Sequence, residues 1–155
     1  MNKDDSALPP QDLLAESASL GSMILLPEAI TEGRKILKEH YFYRESHKII
    51  YKSIMDIDSS GKPVDLVTLR EFIDRVYGLD KIGGVLTLTT LLDETPTPSN
   101  YKSYFDIVYR KYLAREGIDF CHKLIAKCQA EDQKVVDFVK TAIEEYEKEG
   151  LNVTK

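Results

Sequence analysis

At 155 residues, 43% of them hydrophobic and 30% charged, the chain is long enough to bury a core of its own and too apolar for a disordered segment. A net charge of −5 opposes the cationic field that tight binding to a phosphate backbone requires, so little direct DNA binding is expected. The apolar run Met23-Ile24-Leu25-Leu26 is far below the roughly 20 residues of a membrane span, and no apolar stretch follows Met1 as a secretory signal would need. A cytoplasmic protein without a membrane partner is expected.

Residues 1–10 form a polar lead-in, predicted to be flexible, that closes on Pro9-Pro10 just where a helix can begin. From Gln11 onward Leu14, Ala18, Gly21 and Leu25 recur at helical spacing, with Ser17 and Ile24 in the same stripe, and Gly21 predicts close approach of another helix. Pro27 interrupts this helix and opens a second, with Ile30, Gly33 and Leu37 on one face and Glu28 near its positive end. His40 is expected at the C-terminus of that helix. After the aromatic connection His40-Tyr41-Phe42-Tyr43, a third helix places His47, Ile50, Tyr51, Ile54 and Ile57 on its apolar side.

Ser59-Ser60-Gly61-Lys62-Pro63 is a turn, and Asp65 stands where an N-cap belongs for a fourth helix with the stripe Leu66, Leu69, Phe72, Ile73 and Val76. Gly83-Gly84 precedes a short fifth helix ending near Leu92. Its stretch Val85–Leu92 is β-prone in composition, but no second segment alternates with period two to pair with it. Thr95-Pro96-Thr97-Pro98-Ser99 is the clearest internal boundary. Beyond it, one long helix runs from Asn100 to about Gln129 and a second from about Gln133 to Glu149, an antiparallel hairpin. The prediction is therefore all-α: a compact multi-helix head over 11–98 and a long helical hairpin over 99–149, with an interdomain linker beginning at 150–155. Two helices bury only the surfaces between them, so part of the wide apolar face should stay open for a partner unless the hairpin folds back on the head and covers it.

Chemistry is harder to find. Cys121, His122 and Cys128 are zinc-ligand types, but the first two diverge by about 100° on a helix and no second ligand pair lies nearby, so the cysteines are expected as small buried apolar residues. Two turns, roughly 10 Å, also keep Cys121 and Cys128 beyond disulfide reach. His47 sits on an apolar face as a hydrogen-bonded core residue, and neither it nor His40 has the partners of a catalytic triad. Glu144, Glu145, Glu147 and Glu149 belong to a solvated face, with Lys140 and Lys148 spaced to pair with Glu144. The glycines form no phosphate loop. No catalytic, cofactor-binding or metal site is assigned. Tyr101, Tyr104, Tyr109 and Tyr112, interleaved with Lys102, Arg110, Lys111 and Arg115, suit a protein interface, or alternatively the stacking surface of a stand-alone nucleic-acid-binding accessory or regulatory protein.

Taken in order, Pro9-Pro10-Gln11, Ala15-Glu16, Leu20-Gly21, Phe42-Tyr43 with His47 and Ile50, Pro63-Val64-Asp65-Leu66-Val67-Thr68-Leu69, Gly83-Gly84 with Leu88, and Pro98, Asn100, Tyr104, Ile107-Val108 and Lys111 resemble the N-terminal domain of DnaB-type replicative DNA helicases. Thr87 departs from a common tyrosine, and Phe105 from a common alanine. The resemblance implies a helical head and a hairpin through which domains pair, as a dimer or as a trimer of dimers within a hexamer. It further implies recruitment of primase, through the primase C-terminal domain, and in some systems of a helicase loader. The enzyme activity, with its ATP and Mg, is implied only for the motor that follows this domain in the family. The chain is expected to be non-catalytic, a fragment or a stand-alone relative ending where the linker begins. Ile118, Cys121, Ile125, Val139 and Ile143 are the expected self-association face, and Tyr109, Tyr112 and Arg115 the expected partner-docking residues.

Overall fold

The computed structural model describes residues 7–150. The expected lead-in at 1–6 and linker at 151–155 lie outside the described residues. Seven α-helices follow one another: α1 Leu13–Leu25, α2 Pro27–Ile36, α3 Glu45–Ser59, α4 Leu66–Val76, α5 Val85–Asp93, α6 Tyr101–Gln129 and α7 Gln133–Lys148. There is no strand among the described residues, and the β-prone Val85–Leu92 stretch is helical. Short 3-10 turns at Glu39–Tyr41, Leu79–Ile82 and Pro98–Asn100 fill the connections.

Local chemistry sets the helix ends. The Asp12 side chain accepts the Ala15 N–H and starts α1, and Pro27 takes the first position of α2, where its missing N–H costs nothing. Asp65 caps α4 as expected, accepting from Val67 and Thr68, while the Thr68 hydroxyl accepts from the Asp65 N–H to complete a capping box. Those N–H donors, that of Thr68 foremost, hold the Asp65 carboxyl below its ordinary range. Gly83 and Gly84 have φ of 88° and 94°, a left-handed pair that turns the chain from Leu79–Ile82 into α5.

By compactness the chain divides after Ala114. The first unit is the head, and α1 is its axis, packed by α2, α3, α5 and the Pro98–Asn100 turn. Every residue from Ala15 to Ile24 is buried, so the core face of α1 is not the stripe the apolar spacing predicts. Leu14 and Leu25 are exposed instead, at 59% and 45%, because they lie at the ends, where neighbouring helices no longer surround the axis. Small residues let those neighbours come close. A Cβ on Gly21 would lie 2.0 Å from Thr95 Oγ1 and 2.6 Å from the Leu91 carbonyl oxygen, which confirms the expected close approach.

The remaining stripes fall where periodicity puts them: Ile30 and Leu37; His47, Ile50, Tyr51, Ile54 and Ile57; and Leu69 and Ile73 are all buried, whereas Val76 is exposed. Phe105 and Val108 on the first half of α6 complete this core, each worth roughly 1.5–3 kcal/mol when fully buried. Phe105 fits because Gly33 faces it: a Cβ on Gly33 would stand 3.4 Å from the ring. Thr87, the other departure, donates its hydroxyl to the Ile82 carbonyl at 2.9 Å.

Candidate functional site

The second unit, from Arg115 onward, holds the end of α6 and all of α7. The end of α6 carries the pair Asp119–Lys123 at 2.5 Å, which raises the lysine's pKa. The helix ends in a Schellman motif: Glu131 takes a left-handed φ of 53°, its N–H donates to the Cys128 carbonyl, and the Asp132 N–H donates to the Lys127 carbonyl at 3.1 Å. Asp132 then caps α7 by accepting from the Lys134 N–H. Turn and caps thus account for the reversal of direction between Gln129 and Gln133.

The seam between the two helices is only half-buried, at Leu124, Cys128, Val135, Val139 and Ala142. No described residue from Tyr109 onward is buried. On one flank Ile118, Ile125, Val136 and Ile143 remain 47%, 54%, 42% and 49% exposed, with Cys121 also exposed. On the other flank Phe120, Leu124, Val135 and Phe138 line a groove of about 430 Å³ edged by Lys123, Lys127 and Lys134. Of the five residues expected to self-associate, four therefore share the exposed surface, while Val139 lies in the seam. The cysteines are not the buried core residues expected: Cys121 is exposed and Cys128 half-buried, since a two-helix layer has no interior.

In the head, Tyr112 stacks on Tyr41 with ring centroids 4.2 Å apart and lies edge-on to His40 at 5.3 Å, and Tyr109 tilts against Tyr41 at 5.4 Å. His40 belongs to the Glu39–Tyr41 turn rather than to the end of α2, which stops at Ile36, so the expected helix-dipole role is not its own. Sequence periodicity joins Tyr109 to Tyr112 but gives no sign that they pack against residue 41. Tyr109 retains an exposed edge, Tyr112 is half-buried, and Arg115, the first residue of the second unit, is half-buried as well. No cluster of His, Cys, Asp or Glu suited to a metal occurs among the described residues, and no helix among them is long and apolar enough to cross a membrane.

The histidine and glutamate buried in the head are structural. Glu16 and His47, each about 1% exposed, meet at 2.7 Å between Oε2 and Nδ1. Because a carboxylate only accepts, Nδ1 carries the hydrogen. Glu16 Oε1 also accepts the Tyr43 N–H at 2.6 Å, and Oε2 accepts the Arg44 N–H at 3.4 Å. Arg44 is the N-cap of α3 and offers no capping side chain of its own; the carboxylate from α1 binds the two N–H groups just before the helix and brings a favourable negative charge to its N-terminus. Nothing in the local sequence around Glu16 announces this contact.

The model of the family described as DnaB-like helicase N terminal domain matches residues 8–110. The chain belongs to that family. It is 33% identical to the replicative DNA helicase DnaC of Bacillus subtilis over 87% of this chain and 30% of the relative, and 38% identical to the replicative DNA helicase DnaB of Mycobacterium leprae over 76% and 20%. It thus spans a third or less of these curated relatives. The crystal structure of the N-terminal domain of DnaB helicase from Mycobacterium tuberculosis is similar with a TM-score of 0.78 and 35% identity, covering 88% of this chain and 99% of that one. A DnaB-like replicative helicase whose structure is described with its interactions with primase shares the fold at a TM-score of 0.66 and 24% identity, over 93% of this chain and 32% of that one.

Proposed function

We propose that this DnaB-like N-terminal domain is the assembly and docking part of a hexameric replicative DNA helicase, pairing with itself through the hairpin and recruiting primase or a loader. The observation that carries the reading is the hairpin surface: Ile118, Ile125 and Ile143 keep about half of their area in water. Isolated apolar residues on a surface are ordinary, but a contiguous stripe of them marks a protein contact. Self-association through Ile118, Cys121, Ile125 and Ile143, with Val139 supporting them from the seam, removes that stripe from water. The chain then assembles and docks rather than catalyses, and ATP and Mg belong to the helicase motor.

Ile118→Asp places a charge in the contact, where it has no partner. Light scattering should find the wild type associated at high protein concentration and the variant shifted toward monomer. A wild type that stays monomeric overturns the assembly reading. For docking, Tyr109, Tyr112 and Arg115 are the proposed contacts, because aromatic and arginine side chains carry most binding energy at interfaces. Affinity for the primase C-terminal domain should drop when all three become alanine; unchanged affinity refutes their role.

A further inference from the structure

Between α1, the start of α3 and α5 the head holds a pocket of about 200 Å³. Ser17, Arg44 and His47 line one side of it, and residues of α5 together with Glu94 line the other. One water takes only about 30 Å³ in the liquid, so the pocket has room for a small molecule.

Two of the lining side chains are buried and keep polar atoms to spare. Ser19 and Ser22 of α1 close their hydroxyls on the Ala15 and Ala18 carbonyls, each at 2.7 Å. The Ser17 hydroxyl, on a residue only 2% exposed, makes no hydrogen bond to any described residue. His47, 1% exposed, spends Nδ1 on Glu16 and leaves Nε2 without a protein partner. Every fully enclosed side-chain nitrogen or oxygen among the described residues has a partner, so these two atoms are not enclosed: they reach the pocket. Ser17 Oγ both donates and accepts, and Nε2 accepts when neutral and donates when protonated. The two do not bond each other, so Glu16, His47 and Ser17 lack the nucleophile–base contact of a hydrolytic triad.

The charges of the pocket are equally unspent. Arg44 and Glu94 form no ion pair with each other or with any other described residue. The backbone agrees with the side chains: Arg44 is the N-cap of α3, at the positive end of that helix, and Glu94 is the C-cap of α5, at the negative end. Neighbouring acids do not reverse this order. Glu45, in the first turn of α3, pairs with Lys48, and the Glu16 carboxylate is occupied by His47 and by the Tyr43 and Arg44 N–H groups. Asp93 adds to the negative end, and no basic residue stands in the last turn of α5. On the same side Thr87 and Thr90 have donated their hydroxyl hydrogens to the Ile82 and Leu86 carbonyls, each at 2.9 Å, and offer only lone pairs to the pocket. The Arg44 side therefore attracts an anion and the Glu94 side a cation.

We propose that this pocket binds a small zwitterion, of the class of a free α-amino acid with a short side chain. Its carboxylate rests on Arg44 and Ser17, its ammonium on Glu94 and the oxygens of Thr87 and Thr90, and its apolar part on the leucines of α5 that line the pocket. A simple anion would face Glu94, and a simple cation Arg44. A metal would find only His47 and Glu94, and no cluster of three such ligands occurs among the described residues. The site goes beyond assembly and docking and depends on neither.

The test follows the His47 ring nitrogens of the full chain by nuclear magnetic resonance, at constant pH and ionic strength, while alanine, acetate and ethylammonium are titrated separately. Alanine should move the Nε2 resonance with a dissociation constant of about 1 mM or tighter. Acetate and ethylammonium each carry half of the charge pair and should bind at least about tenfold more weakly. Arg44→Ala and Glu94→Gln should each weaken alanine binding about tenfold, since each removes a charged hydrogen bond. Arg44 is exposed and Glu94 only half-buried, so both variants keep the core, which an unshifted Nδ1 resonance verifies. Acetate binding as tightly as alanine overturns the proposal in favour of an anion site, and ethylammonium doing so overturns it in favour of a cation site; neither comparison needs a variant. No shift with alanine, or alanine binding that either variant retains in full, also overturns it and leaves the pocket to water.

Discussion

Replacing Glu16 by alanine tests whether one buried carboxylate organises the head. The side chain is about 1% exposed and accepts from the Tyr43 N–H, the Arg44 N–H and His47 Nδ1. Arg44 is exposed, so water can replace its bond, but the histidine and the Tyr43 N–H lose partners where water has little access. An orphaned buried donor costs about 1–3 kcal/mol, and Glu16→Ala orphans two of them. The expected loss is therefore about 2–6 kcal/mol, a large share of the roughly 5–15 kcal/mol by which a domain is stable. Glu16→Gln keeps one acceptor for the Tyr43 N–H and should cost about half as much. Urea unfolding followed by circular dichroism measures both, and a double-mutant cycle with His47→Ala isolates the pair. A loss below about 1 kcal/mol for Glu16→Ala, or additivity in the cycle, refutes the claim that this contact ties α1 to the start of α3.

Gly21→Ala sets a methyl group against the Leu91 carbonyl and the Thr95 hydroxyl, and overpacking of this kind should cost about 1–3 kcal/mol in the same urea measurement, with neutrality refuting the close packing of α1 on α5. Tyr51 donates its hydroxyl to the Leu37 carbonyl at 2.8 Å, and burial pushes its pKa from 10.0 to about 12. A folded pKa above the unfolded one means stability is complete below pH 10 and declines as the pH rises through about 12, because only the unfolded chain ionises readily in that window. Tyr51→Phe should cost about 1 kcal/mol at neutral pH and flatten the alkaline decline; an unchanged alkaline limb would show that another group governs it.

Helix positions were legible in the sequence because their ends are chemical. Pro27, Asp65 and the Gly83-Gly84 pair act through φ, a missing N–H or a capping oxygen, all of them local. The inner faces of α2, α3 and the middle of α4 were legible because each has one wet side, which imposes a period. The face of α1 was not, since an axis packed on all sides has no wet side and its large residues stand only at the ends. The Glu16 contact at the start of α3 was hidden for another reason: its partners lie 27 to 31 residues away, and no spacing rule connects them. The candidate site was partly legible. Periodicity found a hairpin with more apolar surface than two helices bury, but it merged two flanks into one stripe, so Val139 was grouped with Ile118 although it faces the seam. The groove on the phenylalanine flank becomes visible only when residues of α6 and α7 are known to line it together.

Head and hairpin solve the burial problem in opposite ways. In the head, every fully enclosed side-chain nitrogen or oxygen among the described residues finds a partner, even where that requires a carboxylate from another helix. Those polar groups are consumed internally, which favours one arrangement of α1 through α5. The second unit has no buried residue among those described and carries its large side chains on both flanks. Short range explains why it forms at all: α6 and α7 need only i,i+4 pairs, a Schellman turn and the Asp132 cap. Those contributions amount to tenths of a kcal/mol or about one each, far less than burial of the phenylalanines and isoleucines would add. If the second unit pairs as proposed, burial of these side chains comes only with pairing, so its folding energy and its assembly energy are largely the same quantity.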